Sequence, residues 1–285
     1  MEKMCVRLNS DLAIEYHEGI INSETANRYP HTHDFCELYF FIEGNCSYMV
    51  ENKVLKLHPG TTVFTRPGEL HLVRIDKTCN YSRFFYQFRE NALNFETNTH
   101  LRCFFDRPYG KQNSLIMPIS VAEECISRVK NDLKMYKANS PDFYSNAAAN
   151  FLIHLSKVNE LFDQLRDSDS TDRENPLISN ALLYINEHIA DLDSTDDIAK
   201  ALFVSREYLS RSFSKEMGMT LNRYILEKKI ANAKSLLSAG YSATEAAIRS
   251  GFNNYSYFIQ IFRRETGHTP REWKNLDECK VTQLI

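Results

Sequence analysis

Residues 208–224, YLSRSFSKEMGMTLNRY, recur in altered form at residues 257–273 as YFIQIFRRETGHTPREW. An internal repeat of this kind indicates one structural unit that occurs twice. The C-terminal part of the chain is therefore predicted to contain two copies of one small helical motif. Across the spacing of 49 residues the identical pairs are Tyr208 and Tyr257, Phe213 and Phe262, Glu216 and Glu265, Gly218 and Gly267, and Thr220 and Thr269.

Each copy has the pattern of a short helix, a tight turn and a longer helix. Ser194 or Thr195 can cap the first short helix, and Ser242 with Glu245 predicts a capping box at the start of the second. Helix, short turn and helix is the helix-turn-helix pattern. The two units are expected at about 194–217 and 242–266, joined by a helix over 221–239.

The longer helix of each copy has an apolar and a polar face. Leu209 and Phe213 lie four residues apart, as do Phe258 and Phe262, so each pair should pack inward. One polar helix face is more often simply solvated, but two copies with the same pattern favour DNA recognition. The residues predicted to read base edges are Glu207, Ser210, Arg211, Tyr255, Ser256 and Gln260. Those predicted to hold phosphates are Arg206, Lys215, Arg263 and Arg264.

The N-terminal half has a different periodicity. Short runs such as CELYFFI, CSYMVE and SRFFYQF are rich in aromatic and β-branched residues and are separated by turn signals, which predicts a small barrel or sandwich. From about Ile119 the periodicity is helical. At 285 residues the chain can hold two domains. Their expected bounds are 1–165 and 177–285, with the polar stretch RDSDSTDRENP at 166–176 as a linker.

A helix over about 141–168 carries a narrow apolar stripe with alternating spacings of four and three residues. Two interpretations are open: the helix packs on the flank of the barrel, or it joins two subunits. Both can hold if the preceding helix, at about 120–138, covers the barrel. We predict a homodimer formed through this helix by Tyr144, Phe151, Leu155, Val158 and Phe162.

The composition argues against several other classes of protein. The formal net charge of −3 gives no overall basic field, so a DNA-binding surface has to be local. The seven cysteines form no Cys-x-x-Cys pair, which disfavours a zinc knuckle or a disulfide framework. No apolar run approaches the roughly 20 residues of a membrane span, and the N-terminus lacks the apolar core of a signal peptide. A cytoplasmic protein without membrane partners is expected.

Residues 176–274 resemble the DNA-binding domain of the AraC/XylS family of bacterial transcription regulators. The similarity is carried by DIAKALFVSREYLSRSFSKEMGMTLNRYI, KIANAKSLL and AAIRSGFNNYSYFIQIFRRETGHTPREW. It implies seven helices with two helix-turn-helix units, double-stranded DNA and RNA polymerase as partners, and gene activation. Gln260 stands where many relatives have arginine and Ile259 is apolar, which puts base reading by the second unit in doubt.

The N-terminal half resembles, more loosely, the cupin-type ligand-binding barrel that is often fused to this domain. HTHDFCELYFFIEG at 31–44 and LHPGTTVFTRPGELH at 57–71 carry the similarity. It implies a pocket for a small-molecule effector, and polar side chains there would suit a sugar or another small hydroxylated metabolite. The predicted pocket residues are His31, His33, Glu37, Tyr39, Arg66, His71 and Tyr86.

The same histidines raise the alternative of a metal-dependent cupin enzyme with a regulatory helical tail. His31, His33 and Glu37 share the parity of one strand, and His71 can join them, a set that suits iron, manganese or nickel. The glycine that usually precedes the first histidine of the cupin motif is replaced by Thr25, however, and no catalysis needs two recognition helices. We therefore predict no catalytic residue, no cofactor and a pocket without a metal, while a metal-bound sensor stays open as an alternative.

The predicted fold has two domains. An N-terminal all-β cupin-like barrel is followed by helices, and a C-terminal all-α domain holds two helix-turn-helix units joined by a long helix. The predicted function is that of a small-molecule-responsive, sequence-specific DNA-binding transcription regulator.

Overall fold

The computed structural model describes residues 2–22, 31–33, 35–51, 53–90, 92, 98–166, 175–192 and 194–275. Within these residues a β-rich N-terminal domain with flanking helices precedes an all-helical C-terminal domain, as the sequence predicts. None of the described helices is both long enough and apolar enough to cross a membrane.

The N-terminal domain contains two antiparallel sheets. The larger sheet has the strand order β1-β2-β8-β3-β6-β9 and the smaller one β5-β4-β7. In chain order the strands are β1 (Glu2–Asn9), β2 (Leu12–Ile21), β3 (Cys36–Glu43), β4 (Cys46–Val50), β5 (Lys53–Lys56), β6 (Thr61–Thr65), β7 (His71–Ile75), β8 (Cys79–Phe88) and β9 (Ser114–Ile116). The helices of this domain are a 3₁₀ helix (Asn98–Leu101), α1 (Arg102–Phe105), α2 (Ile119–Lys137) and α3 (Phe143–Arg166).

Alternate side chains of the large sheet face two different cores. Phe84, Tyr86 and Phe88 of β8 point to the side that the helices cover. Phe85 of the same strand points instead to the small sheet. The space between the two sheets is filled by aromatic side chains that are at most 4% exposed, namely Tyr39, Phe41, Tyr48, Tyr81 and Phe85.

The apolar stripe of α3 packs on the barrel. Phe151, Leu155, Val158 and Phe162 are at most 3% exposed and share one core with the large sheet, whereas Tyr144 is 54% exposed. The prediction that Phe151, Leu155, Val158 and Phe162 join two subunits is therefore wrong, and their packing on the flank of the barrel is confirmed. A dimer contact of Tyr144 stays a prediction. The pattern could not separate the two interpretations, because it records which side of a helix is apolar and not what covers it.

The C-terminal domain has seven helices within 175–192 and 194–275. They are α4 (Pro176–His188), α5 (Thr195–Ala201), α6 (Arg206–Met217), α7 (Leu221–Ser238), α8 (Ala243–Arg249), α9 (Tyr255–Thr266) and α10 (Pro270–Asn275). The predicted linker falls mostly between the end of α3 and the start of α4, and residues 167–174 lie outside the described residues.

The repeat appears as two helix pairs, α5 with α6 and α8 with α9. Helices α6 and α9 each have 12 residues and begin after a capping side chain, Ser205 or Asn254. Each ends at a glycine with positive φ, 66° at Gly218 and 77° at Gly267. Glycine reaches this left-handed conformation without a steric cost, so both stops follow from the sequence.

The turn between α5 and α6 contains a strained residue. Phe203 has a φ of 56° and is 96% exposed. A left-handed conformation destabilises a non-glycine residue by about 1–2 kcal/mol. Glycine avoids this strain, but its greater conformational freedom in the unfolded chain costs about 0.5–1 kcal/mol. Phe203→Gly should therefore raise the free energy of unfolding by about 0.5–1 kcal/mol in urea titrations.

Phe203→Ala is the matched control, because it removes the exposed ring but keeps a side chain at positive φ. It should give no comparable gain. An equal gain from both variants would assign the effect to the exposed ring and contradict the role of backbone strain.

Candidate DNA-binding surface and effector site

The polar faces of α6 and α9 are turned to solvent. Leu209, Phe213, Phe258 and Phe262 are fully buried on the opposite faces. Of the predicted base-reading residues, Glu207, Arg211, Ser256 and Gln260 are exposed, Tyr255 is 43% exposed and Ser210 is half-buried. The six residues thus lie on two outward surfaces, and their contact with DNA stays a prediction.

The cations predicted to hold phosphates are also at the surface. Lys215 and Arg263 are exposed. Nε of Arg206 lies 3.7 Å from Oδ1 of Asp196. Nη2 of Arg264 lies 2.7 Å from Oε1 of Glu265. Surface ion pairs contribute little to stability, so both arginines can exchange these partners for phosphate at small cost.

Two sets of contacts that the sequence did not reveal hold the second helix pair against α7. Arg223 of α7 donates to both carboxylate oxygens of Glu265 in α9, at 3.0 and 2.8 Å. Lys229 of α7 donates to the carbonyl oxygens of Leu192 and Gly251, at 2.8 and 2.6 Å. These contacts position α9 and its preceding turn on the helix that also follows α6.

In the N-terminal domain, three histidines converge at the start of β7. One ring nitrogen from each of His31, His33 and His71 lies within 4.8 Å of the others. The predicted convergence is confirmed, but shared strand parity is not its cause, because β3 begins only at Cys36. Reciprocal backbone hydrogen bonds of 3.0 and 2.9 Å between His31 and His71 place the first histidine instead.

Glu37 lies beside this cluster and is held from the barrel interior. The Tyr48 hydroxyl donates to its Oε1 at 3.0 Å, and Gln87 Nε2 donates to its Oε2 at 2.9 Å. Burial and the neighbouring histidines lower the pKa of His71 to about 4 and lower the pKa of His31 as well. At neutral pH these two rings are therefore uncharged and offer lone pairs.

The other predicted pocket residues are engaged elsewhere. Tyr39 faces the same interior as Glu37, but its hydroxyl is hydrogen-bonded to that of Tyr81 at 2.9 Å. Arg66 stacks on the ring of Tyr109, with its guanidinium carbon 4.7 Å from the ring centre. The prediction is wrong for Tyr86, because it lies on the helix-facing side of β8 and its hydroxyl is 2.8 Å from Nδ1 of His154.

The loop that leads into His71 is fixed by a buried ion pair. Arg107 donates to both oxygens of Glu69, at 2.8 and 2.7 Å, and both side chains are 0% exposed. The carbonyl oxygen of Glu69 in turn contacts Nδ1 of His71 at 2.9 Å. The orientation of one cluster histidine therefore depends on this loop.

The same loop reaches the C-terminal domain. Leu70 is fully buried in the core formed by α4, α5, α6 and the start of α7. Glu51, also 0% exposed, accepts hydrogen bonds from Tyr224 at 2.5 Å and from Lys228 at 3.0 Å. Lys228 also donates to the carbonyl oxygen of Gly68 at 2.6 Å. No local pattern signals these contacts, because Glu51 and Lys228 are 177 residues apart.

A β-rich domain with a buried polar cluster is thus joined to a helical domain that carries two exposed recognition-type faces. Together they define a transcription regulator in which a ligand-binding domain contacts a DNA-binding domain.

Comparison with known proteins agrees with this class. Residues 16–102 match the family model of the AraC-like ligand binding domain, and residues 198–275 match that of a helix-turn-helix domain. The chain is 23% identical to the HTH-type transcriptional activator RhaR of Escherichia coli, over 90% of this chain and 92% of RhaR. The chain belongs to the AraC/XylS family of transcription regulators.

Two solved structures are also similar. Unsaturated fatty acid-bound ToxT from Vibrio cholerae matches 93% of this chain and 95% of its own, at 16% identity and a TM-score of 0.40. The C-terminal domain of AraT, a response regulator from Geobacillus stearothermophilus, matches 36% of this chain and 88% of its own, at 29% identity and a TM-score of 0.35.

Proposed function

We propose that this regulator activates transcription by placing α6 and α9 in successive major grooves of DNA, in response to an effector bound beside the histidine cluster. The observation that carries the proposal is the pair of 12-residue helices, each with a buried apolar face and an exposed polar face. Activation is supported by the relative RhaR, an HTH-type transcriptional activator. The relatives are regulators, and we propose no catalytic role.

Helix pairs α5–α6 and α8–α9 would act as the two helix-turn-helix units, with α7 setting their separation. One turn of B-DNA is roughly 34 Å, so one subunit should protect two boxes about 10 base pairs apart. A homodimer would need two such sites, and activation would require contact with RNA polymerase. Since Phe151, Leu155, Val158 and Phe162 are buried, a dimer interface has to use other residues.

The effector would act through the loop that ends at His71. A ligand held by His31, His33, Glu37 and His71 would contact the residue that directly follows Leu70 in the chain. Leu70 itself is buried in the C-terminal core. The sequence predicts that a sugar contacts Tyr86 and Arg66. These two contacts are no longer expected, because both side chains are engaged elsewhere.

Selection from a randomised duplex library tests the proposal. The full chain should enrich one sequence class, and hydroxyl-radical footprinting of that duplex should show two protected boxes about 10 base pairs apart. Binding without sequence enrichment would contradict the proposed readout, and a single protected box would contradict the use of both helix pairs.

Arg211 is predicted to read a base. Its guanidinium is exposed on α6 and can bond a guanine edge bidentately. Arg211→Ala should cost about 1–3 kcal/mol on the selected duplex and relax selectivity at one base position. The measurement is fluorescence anisotropy on selected and scrambled duplexes across a salt series.

Lys215→Ala, on the same helix, is the matched comparison for a phosphate contact. It should weaken binding to both duplexes alike and reduce the slope of log affinity against log salt by about 1. Equal losses on both duplexes for Arg211→Ala would instead assign Arg211 to the DNA backbone.

A further inference from the structure

Two cysteine side chains meet near the end of β7, whereas the histidine cluster lies at its start. We propose that Cys46 and Cys79 form a reversible disulfide when the chain meets a peroxide, and that this bond loosens the contact between the two domains. The sequence disfavours a disulfide framework because it contains no Cys-x-x-Cys pair. The fold brings these two cysteines together from different sheets, Cys46 from the start of β4 and Cys79 from the start of β8.

Backbone contacts place the two sulfur atoms side by side. Cys46 is paired with Ile75, the last residue of β7, in the small sheet. The N–H of Asn45, the residue before Cys46, donates to Sγ of Cys79 at 3.2 Å. The two cysteine side chains are in hydrogen-bond contact with each other and pack against the same aromatic core between the sheets. A disulfide of about 2.05 Å therefore needs a closer approach of two adjacent sulfurs and no new pairing of strands.

Exposure and acidity give the two sulfurs different roles. Cys46 is 2% exposed, and burial, with Cys79 and Asp76 close by, raises the pKa of its thiol to about 12. It is almost wholly protonated at neutral pH and is a poor first nucleophile, because the thiolate is the reactive form. Cys79 is half-buried and follows three exposed residues, 76–78, so a peroxide reaches this sulfur first.

The oxidation balances with hydrogen peroxide as the only co-reactant. The Cys79 thiolate attacks one oxygen of the peroxide, the O–O bond breaks, and the products after proton transfer are a sulfenic acid and water. Sγ of Cys46 loses its proton and attacks the sulfenic sulfur, the S–O bond breaks, and a second water leaves. Two thiols are oxidised to one disulfide while one peroxide is reduced to two waters. Excess thiol reverses the bond by thiol–disulfide exchange.

Two paired strands lead from the cysteines to the contact between the domains. Strand β4 begins at Cys46 and is followed directly by Glu51, which accepts a hydrogen bond from Lys228 of α7. Strand β7 directly follows Leu70, which is buried in the C-terminal core, and continues through a short exposed turn to Cys79. A bond between the cysteines therefore pulls on one end of both strands, and their other ends hold the C-terminal domain.

Disulfide formation is tested on the full chain without DNA. The chain is reduced, freed of reductant and treated with hydrogen peroxide. Free thiols are then counted in denaturant, and the bond is located by mass spectrometry of peptides. We expect two thiols per chain to be lost in a bond between Cys46 and Cys79, and dithiothreitol to restore both.

Variants assign the two roles. Cys46→Ala and Cys79→Ala should each abolish the bond, and a dimedone-type probe should label a sulfenic acid in Cys46→Ala but not in Cys79→Ala. The control Cys5→Ala, at a half-buried cysteine of β1, should form the bond as the unaltered chain does. Circular dichroism checks folding, and Cys79→Ala, at the half-buried position, carries the test if Cys46→Ala does not fold.

Amide hydrogen exchange measures the effect on the domain contact. Oxidation should speed exchange about 5-fold or more in the peptides that contain Glu51, Leu70 and Lys228, because a strained contact opens more often. The same peroxide treatment should leave exchange in a folded Cys79→Ala variant unchanged.

Absence of the bond after peroxide treatment, or equal loss of thiols from a folded Cys79→Ala variant, would overturn the proposal. Equal exchange in the oxidised and reduced chains would overturn the link to the domain contact. Sequence enrichment in the DNA selection is measured separately, so a failure of the proposed function is distinguishable from a failure of the disulfide.

Discussion

Replacing Arg107 by alanine should lower the free energy of unfolding by about 3–5 kcal/mol, because it deprives the buried carboxylate of Glu69 of the cation that donates to both its oxygens and leaves only Arg66, whose Nε lies 3.5 Å away. The Arg107 side chain is 0% exposed and donates to both oxygens of Glu69, at 2.8 and 2.7 Å. Its Nε also donates to the carbonyl oxygen of Cys103 at 2.8 Å. Water cannot replace these donors unless the loop opens.

Urea unfolding followed by circular dichroism measures the loss. Lys137→Ala is the control, because its ion pair with Glu2 is just as short, 2.6 Å, but about half exposed. It should leave the midpoint almost unchanged. A similar small shift for Arg107→Ala would show that Glu69 finds other partners and that the pair does not hold the loop.

The same variant has a functional consequence. Loop residues 66–70 carry Leu70 into the C-terminal core and end beside His71. If Arg107→Ala releases this loop, the histidine cluster and the contact with α7 should both be disturbed. Near-native DNA selection by a folded Arg107→Ala variant would show that the loop is not needed for DNA binding.

Replacing Gly251 by alanine is expected to destabilise the chain by about 2–5 kcal/mol. A Cβ there would lie 2.6 Å from the carbonyl oxygen of Ile189 and 2.8 Å from that of Ala190. Gly251 also has a φ of 76°, for which a side chain costs about 1–2 kcal/mol. Crowding against the two carbonyls should add about 1–3 kcal/mol, because backbone atoms cannot rotate away as a side-chain end can.

Gly218→Ala separates the two effects. Gly218 has a similar φ of 66°, but among the described residues nothing lies within 4 Å of its Cβ position. This control should therefore lose only about 1–2 kcal/mol. Equal losses for Gly218→Ala and Gly251→Ala in urea titration would show that the close approach to α4 costs nothing.

Gly251→Ala should also impair DNA binding in chains that remain folded. Its turn precedes α9, and Lys229 of α7 holds its carbonyl oxygen. Moving this turn should shift α9 relative to α6, so that the two helices no longer match successive grooves. An unchanged footprint of two boxes would contradict this role of the turn.

Much of the C-terminal domain was readable from the sequence because its signals act over a few residues. The predicted capping box is present, with Glu245 N–H donating to Ser242 Oγ at 3.2 Å and Ser242 N–H donating to Glu245 Oε2 at 2.9 Å. Gly218 and Gly267 end α6 and α9 in the left-handed conformation. Caps and glycine stops depend on local backbone geometry, which a short stretch of residues specifies.

The sequence indicated where helices and strands lie better than it indicated which neighbours cover their faces. The α3 stripe was correctly apolar but was assigned to a partner subunit, and Tyr86 was assigned to the interior although it meets His154 of α3. A periodic pattern states that one side of a helix or strand is buried. Which neighbour buries it depends on how the elements pack.

The sequence by itself determined the two-domain organisation, the repeated helix pairs and the set of histidines, since each rests on local periodicity or on spacing along the chain. The tertiary structure alone decided that Nε2 of His33 faces Glu37, that Arg107 holds the loop before His71, and that Lys228 of α7 reaches Glu51. These contacts join residues far apart in the chain, up to 177 positions for Glu51 and Lys228. Their geometry comes from packing of whole elements, in which a residue's partner is chosen by the fold and not by its neighbours in sequence.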